Sequence, residues 1–563
     1  MKTQTDSTSL WARTTTRRVL LWLCRWQVLR WLVFSLAGLI TVVALGYAIE
    51  NWRGKRAWES YRSDLESRGE KLDLQAFIPP AVPDDQNFAM TPFLAPLFDF
   101  VPDPKPGQSP WRDTNGYARA TGFTKDLRFW SGSAGDWRVG DRIDLADWLT
   151  EVLQTTSPST QPNRDSSVAT SPSTDSKAAA VAVMEALRAY EPTLEELRAA
   201  SRRPHSRFNV RYEQEKNPYA ILIPHLAVIK GVCQVLKIRA LAELASEQRD
   251  KAFADVQLML YLTDSVKDEP FLISFLVRIA DFQIALQAIW EGLADGRWAE
   301  SELVQLQSRL RQFNFLRDLQ RALRGERACG IKVADRIRQS PNRGLEVDRL
   351  GAEEASPSWS NVGALLLNLL PRGVFYFEAL NYARLFEETI LRDNVTPSNE
   401  VHPSRVRLTS DRMEAFLRLP GAIWHHRVLA RLLVPAVHGV FPKAAFAQTA
   451  ADEAALACAL ERYRLAHGSY PERLEALAPR FIETLPHDVI TGKPLTYRRT
   501  ENGRFLLYSV GWNETDDGGI SPRQPGKDDQ IKGRQSQAKK SGGSRKSFFN
   551  PEKGDWLWRY PNR

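Results

Sequence analysis

The chain has 563 residues, 43% of them hydrophobic and 25% charged, with a formal charge of +9. That length provides for two to four domains and a sizeable core, and the mild, diffuse positive excess suits anionic lipid headgroups while arguing against a nucleic-acid partner. Four scattered cysteines (Cys24, Cys233, Cys329, Cys458) with no CxxC spacing exclude a zinc ribbon and a dense disulfide framework, and leave a single long-range disulfide open.

Residues 1–30 form a basic, Trp-rich tail, in which RRVLLWLCRWQVLR can lie along a membrane surface. Residues 31–49, WLVFSLAGLITVVALGYAI, run 19 positions without a charge. At 1.5 Å per residue they cover ~28 Å, about the thickness of a bilayer's hydrocarbon core. Trp26 and Trp31 at one end, and Tyr47 and Trp52 at the other, suit the two interfaces. A cleaved signal peptide competes, because Gly46-Tyr47-Ala48 places small residues suitably, but the apolar run is too long for that class. The reading is therefore one uncleaved transmembrane helix. Five basic residues (Arg13, Arg17, Arg18, Arg25, Arg30) precede it and five (Arg53, Lys55, Arg56, Arg62, Arg68) follow, a tie under the positive-inside rule. No second span is expected. VGALLLNLL (362–370) is too short, and AILIPHLAVIKGVCQVL (220–236) carries Pro224, His225 and Lys230 and reads as a core helix.

Residues 50–150 begin as a charged helix to about 75. A proline-dense stretch, FIPPAVPDDQNFAMTPFLAPLFDFVPDPKPG, follows and is expected to be extended. Residues 154–177 are a Ser/Thr/Pro linker. From 178 to 442 the pattern is helical: Phe271, Phe275, Ile279, Phe282, Leu286, Ile289 and Leu293 recur at steps of three and four. Breaks near Pro270 and Gly296 point to an irregular array of helical hairpins, with no fixed repeat period.

A helix in KAAFAQTAADEAALACALERYRLAHGSY is expected to close at Gly468. Within it, Cys458 reads as a small buried apolar residue. YPERLEALAPRF reads as a second, short helix opened by Pro471. KPLTYRR and RFLLYSVG flank TENG, whose Asn502-Gly503 is a strong hairpin signal. Residues 521–554 are a basic, Gly/Ser-rich loop expected to be disordered. In 555–563, Trp556 and Trp558 alternate as in a strand that covers one sheet face. The predicted class is mostly α, with a small C-terminal α+β module over 443–520.

In this order, ALERYRLAHGSYPERLEAL, LPHDVITGKPLTYRR and FLLYSVGWNETDDGG resemble the globular half of the major pseudopilin of type II secretion systems. That family runs from an AL-x-x-Y helix through G-x-YP, an LP-x-D turn and YS-x-G into an Asp- and Gly-rich loop. The resemblance covers about 450–519 and implies a pilin-like module. The whole chain also resembles single-pass bacterial membrane proteins carrying this module at their C-termini, which implies no particular activity. In pseudopilins the loop binds Ca²⁺ through aspartate side chains and backbone carbonyls, and the matching positions here are Asn513, Asp516 and Asp517, with Asp488 near the strand start. Hard cations want six to eight oxygens, and Gly518 and Gly519 let the backbone fold around one. Against this, the twelfth position from Asn513 is Gln524, so the loop is no EF-hand. The alternative is an acidic turn of Asx-type hydrogen bonds. The chain also departs from the pilin pattern: some 400 residues separate anchor and module, and SLAGLITVVALG has no glutamate. The module is thus expected to be reused as a folding or docking unit.

GxSxG, HExxH, Walker A and GxGxxG motifs are absent. The adjacent His425 and His426 point to different faces of a helix, His225 and His438 lie in apolar helical sequence, and Glu353-Glu354 reads as solvated surface. No catalytic residue is assigned, although a triad assembled from distant positions stays open. The expectation is a non-catalytic, single-pass scaffold or interaction protein of the bacterial envelope, its bulk outside the cytoplasm. Its partners would be the lipid bilayer and other envelope or secretion components. An envelope hydrolase and a membrane sensor or lipid-contact protein are the alternatives.

Overall fold

One helix, α1 (Trp26–Ser67), runs unbroken from the uncharged stretch into the charged sequence after it. Its 42 residues extend ~63 Å. The apolar part has a mean hydropathy of 2.3 and none of its residues is buried, so α1 is long and apolar enough to cross a membrane. The charged part carries pairs one helical turn apart, such as Arg62–Glu66 at 2.7 Å, and buries Trp58 and Leu65. The computed structural model describes residues 26–101, 109–125, 127, 135–156, 176–213, 217–348, 361–392, 394–418, 425–434, 437, 439–520 and 550–560. Residues 1–25, most of the 154–177 linker, Glu353, Glu354, His438 and the 521–549 loop lie outside them.

Two compact units form. The first comprises 1–70, 334–382 and 419–432. Here α1 meets the segment that opens with a later helix, Arg372–Leu385. A Cβ on Gly54 would lie 2.3 Å from the Gly373 carbonyl oxygen, and one on Gly373 2.1 Å from that of Glu50. Only glycine permits so close an approach. The Gly373 amide donates to Asn51 Oδ1 at 2.7 Å.

The second unit comprises 71–333, 383–418 and 433–563. Its proline-dense start is not simply extended. Four 3₁₀ turns form at Leu74–Phe77, Asp84–Gln86, Phe88–Met90 and Ala95–Phe98, because Asp73 and Asn87 cap two of them and Pro96 occupies a first turn where no N–H donor is needed. Helices α2 (Thr114–Thr121), α3 (Leu145–Thr156), α4 (Ser176–Ala186) and α5 (Glu191–Ala200) lead to α6 (His225–Ala245), α7 (Arg249–Ser265), α8 (Leu272–Ala294), α9 (Glu300–Leu310) and α10 (Phe315–Gln339). Apolar on nearly every side, α6 is buried by α4, α7 and α8. The apolar α8 is likewise mostly buried, as a core helix should be. Next in the chain come α11 (Arg343–Asp348), α12 (Asn361–Leu369) and most of α13 (Arg372–Leu385), which belong to the first unit, then α14 (Pro403–Phe416) of the second, and α15 (Val428–Leu433), which belongs to the first but for its last residue. Cys233, Cys329 and Cys458 are buried free thiols.

The C-terminal helix α16 (Val440–His467) ends at Gly468 in the left-handed region, whose amide donates to the Arg464 carbonyl at 2.8 Å. The expected second helix is a single 3₁₀ turn, Leu474–Leu477, since Pro471 and Pro479 bracket it and each withholds a donor. Strands β1 (Thr496–Arg499), β2 (Phe505–Ser509) and β3 (Trp556–Arg559) form an antiparallel sheet in the order β1-β2-β3. The β1–β2 hairpin turns at Glu501-Asn502, with Gly503 at φ +73°. The Thr500 amide donates to the Arg504 carbonyl at 2.9 Å and the Gly503 amide to the Thr500 carbonyl at 3.0 Å. This is a three-residue hairpin with a glycine bulge, not a two-residue turn.

As the alternation predicts, Trp556 and Trp558 are fully buried. Phe446 of α16 packs edge-on against Trp556, and Trp137 packs at a tilt against Trp558. The other face is covered too, by Leu506, Tyr508 and Leu557 packing together. Trp290 of α8 donates its indole N–H to the Arg559 carbonyl at 2.9 Å. Because α8 and α9 pack on α16, the sheet and its helix share one unit with the helices before them. The sequence boundaries at 443 and 520 do not bound a separate body.

Candidate functional site

The acidic loop follows β2 directly. Gly511, Glu514, Gly518 and Gly519 all have positive φ, which curls Asn513–Gly519 back toward the sheet. Asp516 Oδ1 accepts from the Tyr508 hydroxyl at 3.1 Å and from the Gly518 amide at 2.9 Å, the second an Asx-type bond. Asn513 donates from Nδ2 to Asp517 Oδ2 at 2.9 Å. The loop is closed by a residue that sequence reasoning missed. Asp555, buried at the start of β3, accepts from the Asp517 amide at 3.1 Å and the Gly519 amide at 2.7 Å. Burial raises its carboxyl above the usual range, the two amides lower it, and Asp517 and Asp516 raise it again. Nothing in the local sequence marks Asp555, which reaches the loop only because β3 pairs with β2.

The three predicted ligands, Asn513, Asp516 and Asp517, thus share one loop, with Asp555 as a third carboxylate. Asp488 lies apart, accepting from the Ser509 hydroxyl at 2.8 Å and the Ile490 amide at 2.9 Å. Among the described residues, no group of three or more His, Cys, Asp or Glu side chains is arranged to hold a metal ion. Both Asp555 oxygens receive backbone N–H groups, and the Arg498 guanidinium donates to the Gly518 carbonyl at 3.2 Å. To use both Asp555 oxygens, Asp516 Oδ1 or Asp517 Oδ2, a calcium ion would have to displace donors, and in this conformation the loop is a hydrogen-bonded turn.

Beneath the sheet, α16 carries two adjacent acids, Asp452 half-buried and Glu453 buried. Glu453 is fully buried, and neither of its carboxylate oxygens has a hydrogen-bond partner among the described residues. Burial, then Asp488 and Asp452, push its carboxyl well above the ordinary range. Asp452, bonded to Gln448 Nε2 at 3.2 and 3.3 Å, is pushed up to about 7 by the same burial.

Two arrangements bear on catalysis. His225 is fully buried, stacked on Phe208, with Nε2 2.7 Å from Glu269 Oε1. The Ser274 hydroxyl donates to the other oxygen of Glu269. The carboxylate stands between imidazole and hydroxyl, whereas a histidine that activates a serine must itself stand between the acid and the hydroxyl. Second, a cleft of about 680 Å³ opens between residues 79–82, the 198–207 segment and α7. It is lined by His205 and by four other basic residues, Arg198, Arg207, Lys267 and Arg309. Its acids are engaged: Asp264 pairs with Arg278 at 2.7 Å and Arg309 at 2.6 Å, and Asp268 with Arg321 at 2.5 Å. Ser206 donates to the Ser265 carbonyl. His425 and His426, expected on a helix, occupy a turn held by Asn381, which donates to both carbonyls at 2.7 and 2.9 Å.

No protein-family model matches the chain, and no curated protein or solved structure is significantly similar to it.

Proposed function

We propose that this protein is a non-catalytic, membrane-anchored scaffold of the bacterial envelope. In this reading an irregular helical-hairpin array, joined to a pilin-like α+β module, faces away from the cytoplasm and binds other envelope or secretion components. The observation that carries it is α1, whose uncharged 19-residue stretch from Trp31 to Ile49 is solvent-facing while Trp58 and Leu65, further along the same helix, are buried. An apolar surface of that length is stable only against lipid or protein. Supporting it, the buried histidine and the cleft acids are engaged in structural bonds rather than poised beside a nucleophile. The outward orientation rests on the resemblance to pseudopilins.

The test is fractionation of cells that carry the full chain, with a second chain lacking 26–49. The full chain should resist carbonate extraction and dissolve in detergent, and the shortened chain should be released. External protease should cut the full chain after the outer barrier is opened and leave it intact in closed cells. Release of the full chain by carbonate alone would refute the anchor. The second reading, an envelope hydrolase, rests on the cleft bearing His205. Turnover of generic ester or phosphoester substrates, lost in His205→Ala, would favour it.

A further inference from the structure

The helix α12 presents Leu365, Leu366 and Leu369 to solvent, each close to 60% exposed. Spaced at i, i+1 and i+4, they form one stripe on a single helix face. Nothing among the described residues covers them. Nine residues reach only ~13 Å, far short of a span.

The position of this stripe relative to α1 is fixed by contacts within one unit. Tyr47, Asn51 and Gly54 lie on one face of α1, at i, i+4 and i+7. Gly373 touches that face at Glu50, Asn51 and Gly54. Four residues earlier, the Leu369 carbonyl accepts from the Tyr47 hydroxyl. Moving back along the chain from Gly373 to Leu369 therefore descends α1 by about one turn, toward its uncharged run. Through Leu369 the leucine stripe thus meets α1 at Tyr47, near the end of the uncharged run, where Leu45 and Ile49 are also exposed. Around the same level lie polar groups of the kind that headgroups accept. Trp52 is exposed with Arg56 over its ring. Arg343 donates to the carbonyls of Leu370 at 2.6 Å and Asn368 at 3.3 Å, closing the C-terminal end of α12. Arg372 stands close enough to Arg343 to act on it electrostatically.

We propose that α12 is an interfacial helix, docked on the phospholipid bilayer that α1 enters, with Leu365, Leu366 and Leu369 in the acyl boundary and Arg343 and Arg372 at the headgroup phosphates. Continuity with the apolar surface of α1 selects lipid as the occupant: a stripe joined to a membrane-crossing surface meets the same solvent. Two membrane contacts, one crossing and one lying flat, would fix the tilt and rotation of α1, which a lone helix leaves free. This inference rests on α1 being an anchor.

The test uses the full chain in vesicles of phosphatidylcholine and phosphatidylglycerol, in a Cys24→Ser background where the remaining thiols Cys233, Cys329 and Cys458 are buried. An environment-sensitive fluorophore is placed in turn on Leu366→Cys, Leu39→Cys and Leu465→Cys, all at exposed positions. The label at 366 should be quenched by nitroxide lipids and shielded from aqueous acrylamide, like that at 39 and opposite to that at 465. If 366 behaves like 465 while 39 stays in lipid, the inference fails and the anchor stands. If 39 is also open to acrylamide, the anchor fails and takes the inference with it. Shielding of 366 from both quenchers would mean that protein covers the stripe, which also overturns it.

Discussion

Replacing Glu453 should stabilise the protein, and by an amount that depends on pH. Its carboxyl is fully buried with both oxygens unpartnered, and an unsatisfied buried polar group costs about 1–3 kcal/mol even when neutral. Glu453→Met, an unbranched side chain of similar length, should recover about 2 kcal/mol at every pH. Charge adds a second effect. The unfolded chain ionises this glutamate near its ordinary value of 4.5, while burial holds the folded carboxyl protonated to well above it. As pH rises from there the unfolded state binds fewer protons than the folded one, so stability falls by up to about 1.4 kcal/mol per pH unit. The fall continues until the folded pKa is passed. Below pH ~4 both states are protonated and the effect vanishes. Glu453→Gln keeps the amide-sized polar group but cannot ionise, so it should match the native protein at pH 4 and exceed it increasingly toward pH 8. Urea unfolding of the full chain in detergent, followed by tryptophan emission at several pH values, reads both effects. Parallel pH profiles for the native protein and Glu453→Gln, or a Glu453→Met variant less stable than the native chain, would refute the reasoning.

Asp555→Ala removes the acceptor of the Asp517 and Gly519 amides and should cost about 2 kcal/mol, visible as a lower melting temperature and faster proteolysis at 513–519. Calcium in millimolar excess over chelator should leave the melting temperature of the full chain unchanged, because both Asp555 oxygens and one each of Asp516 and Asp517 already hold hydrogen bonds. A rise that disappears in Asp517→Asn would show that the loop opens to take the ion. Gly373→Ala would bring a Cβ to 2.1 Å from the Glu50 carbonyl oxygen. A loss above about 2 kcal/mol is expected from such overpacking, and hydrogen exchange at residues 50–58 should rise where α1 meets α13.

Much of this fold was legible before any coordinates. A 19-residue uncharged run can be only a few things, and a helix is the cheapest way to satisfy its backbone. Leucines and phenylalanines at steps of three and four in 271–293 demanded a helix with a buried stripe, and α8 has one. Asn502-Gly503 announced a hairpin, and the alternation of Trp556 with Trp558 a strand. The candidate site was less legible. Asn513, Asp516 and Asp517 were singled out by the resemblance of their loop to the pseudopilin one, whereas Asp555 lies 36 residues beyond Gly519 and joins them only through the β2–β3 register.

Sequence alone thus determined what depends on local spacing: the helix periods, the turn chemistry and the length of the uncharged stretch. Tertiary structure decided what depends on which surfaces meet. Asp452 and Glu453 are adjacent acids in α16, yet a sheet on one side and α8 and α9 on the other enclose that helix, and one acid is sealed without a partner. VGALLLNLL was only too short to span. Its leucines acquired a place when Gly54 and Gly373, more than 300 positions apart in the chain, were small enough to let two backbones touch. Periodicity is written in neighbouring residues, whereas burial is a property of pairs, and the pairs are made only when the chain folds.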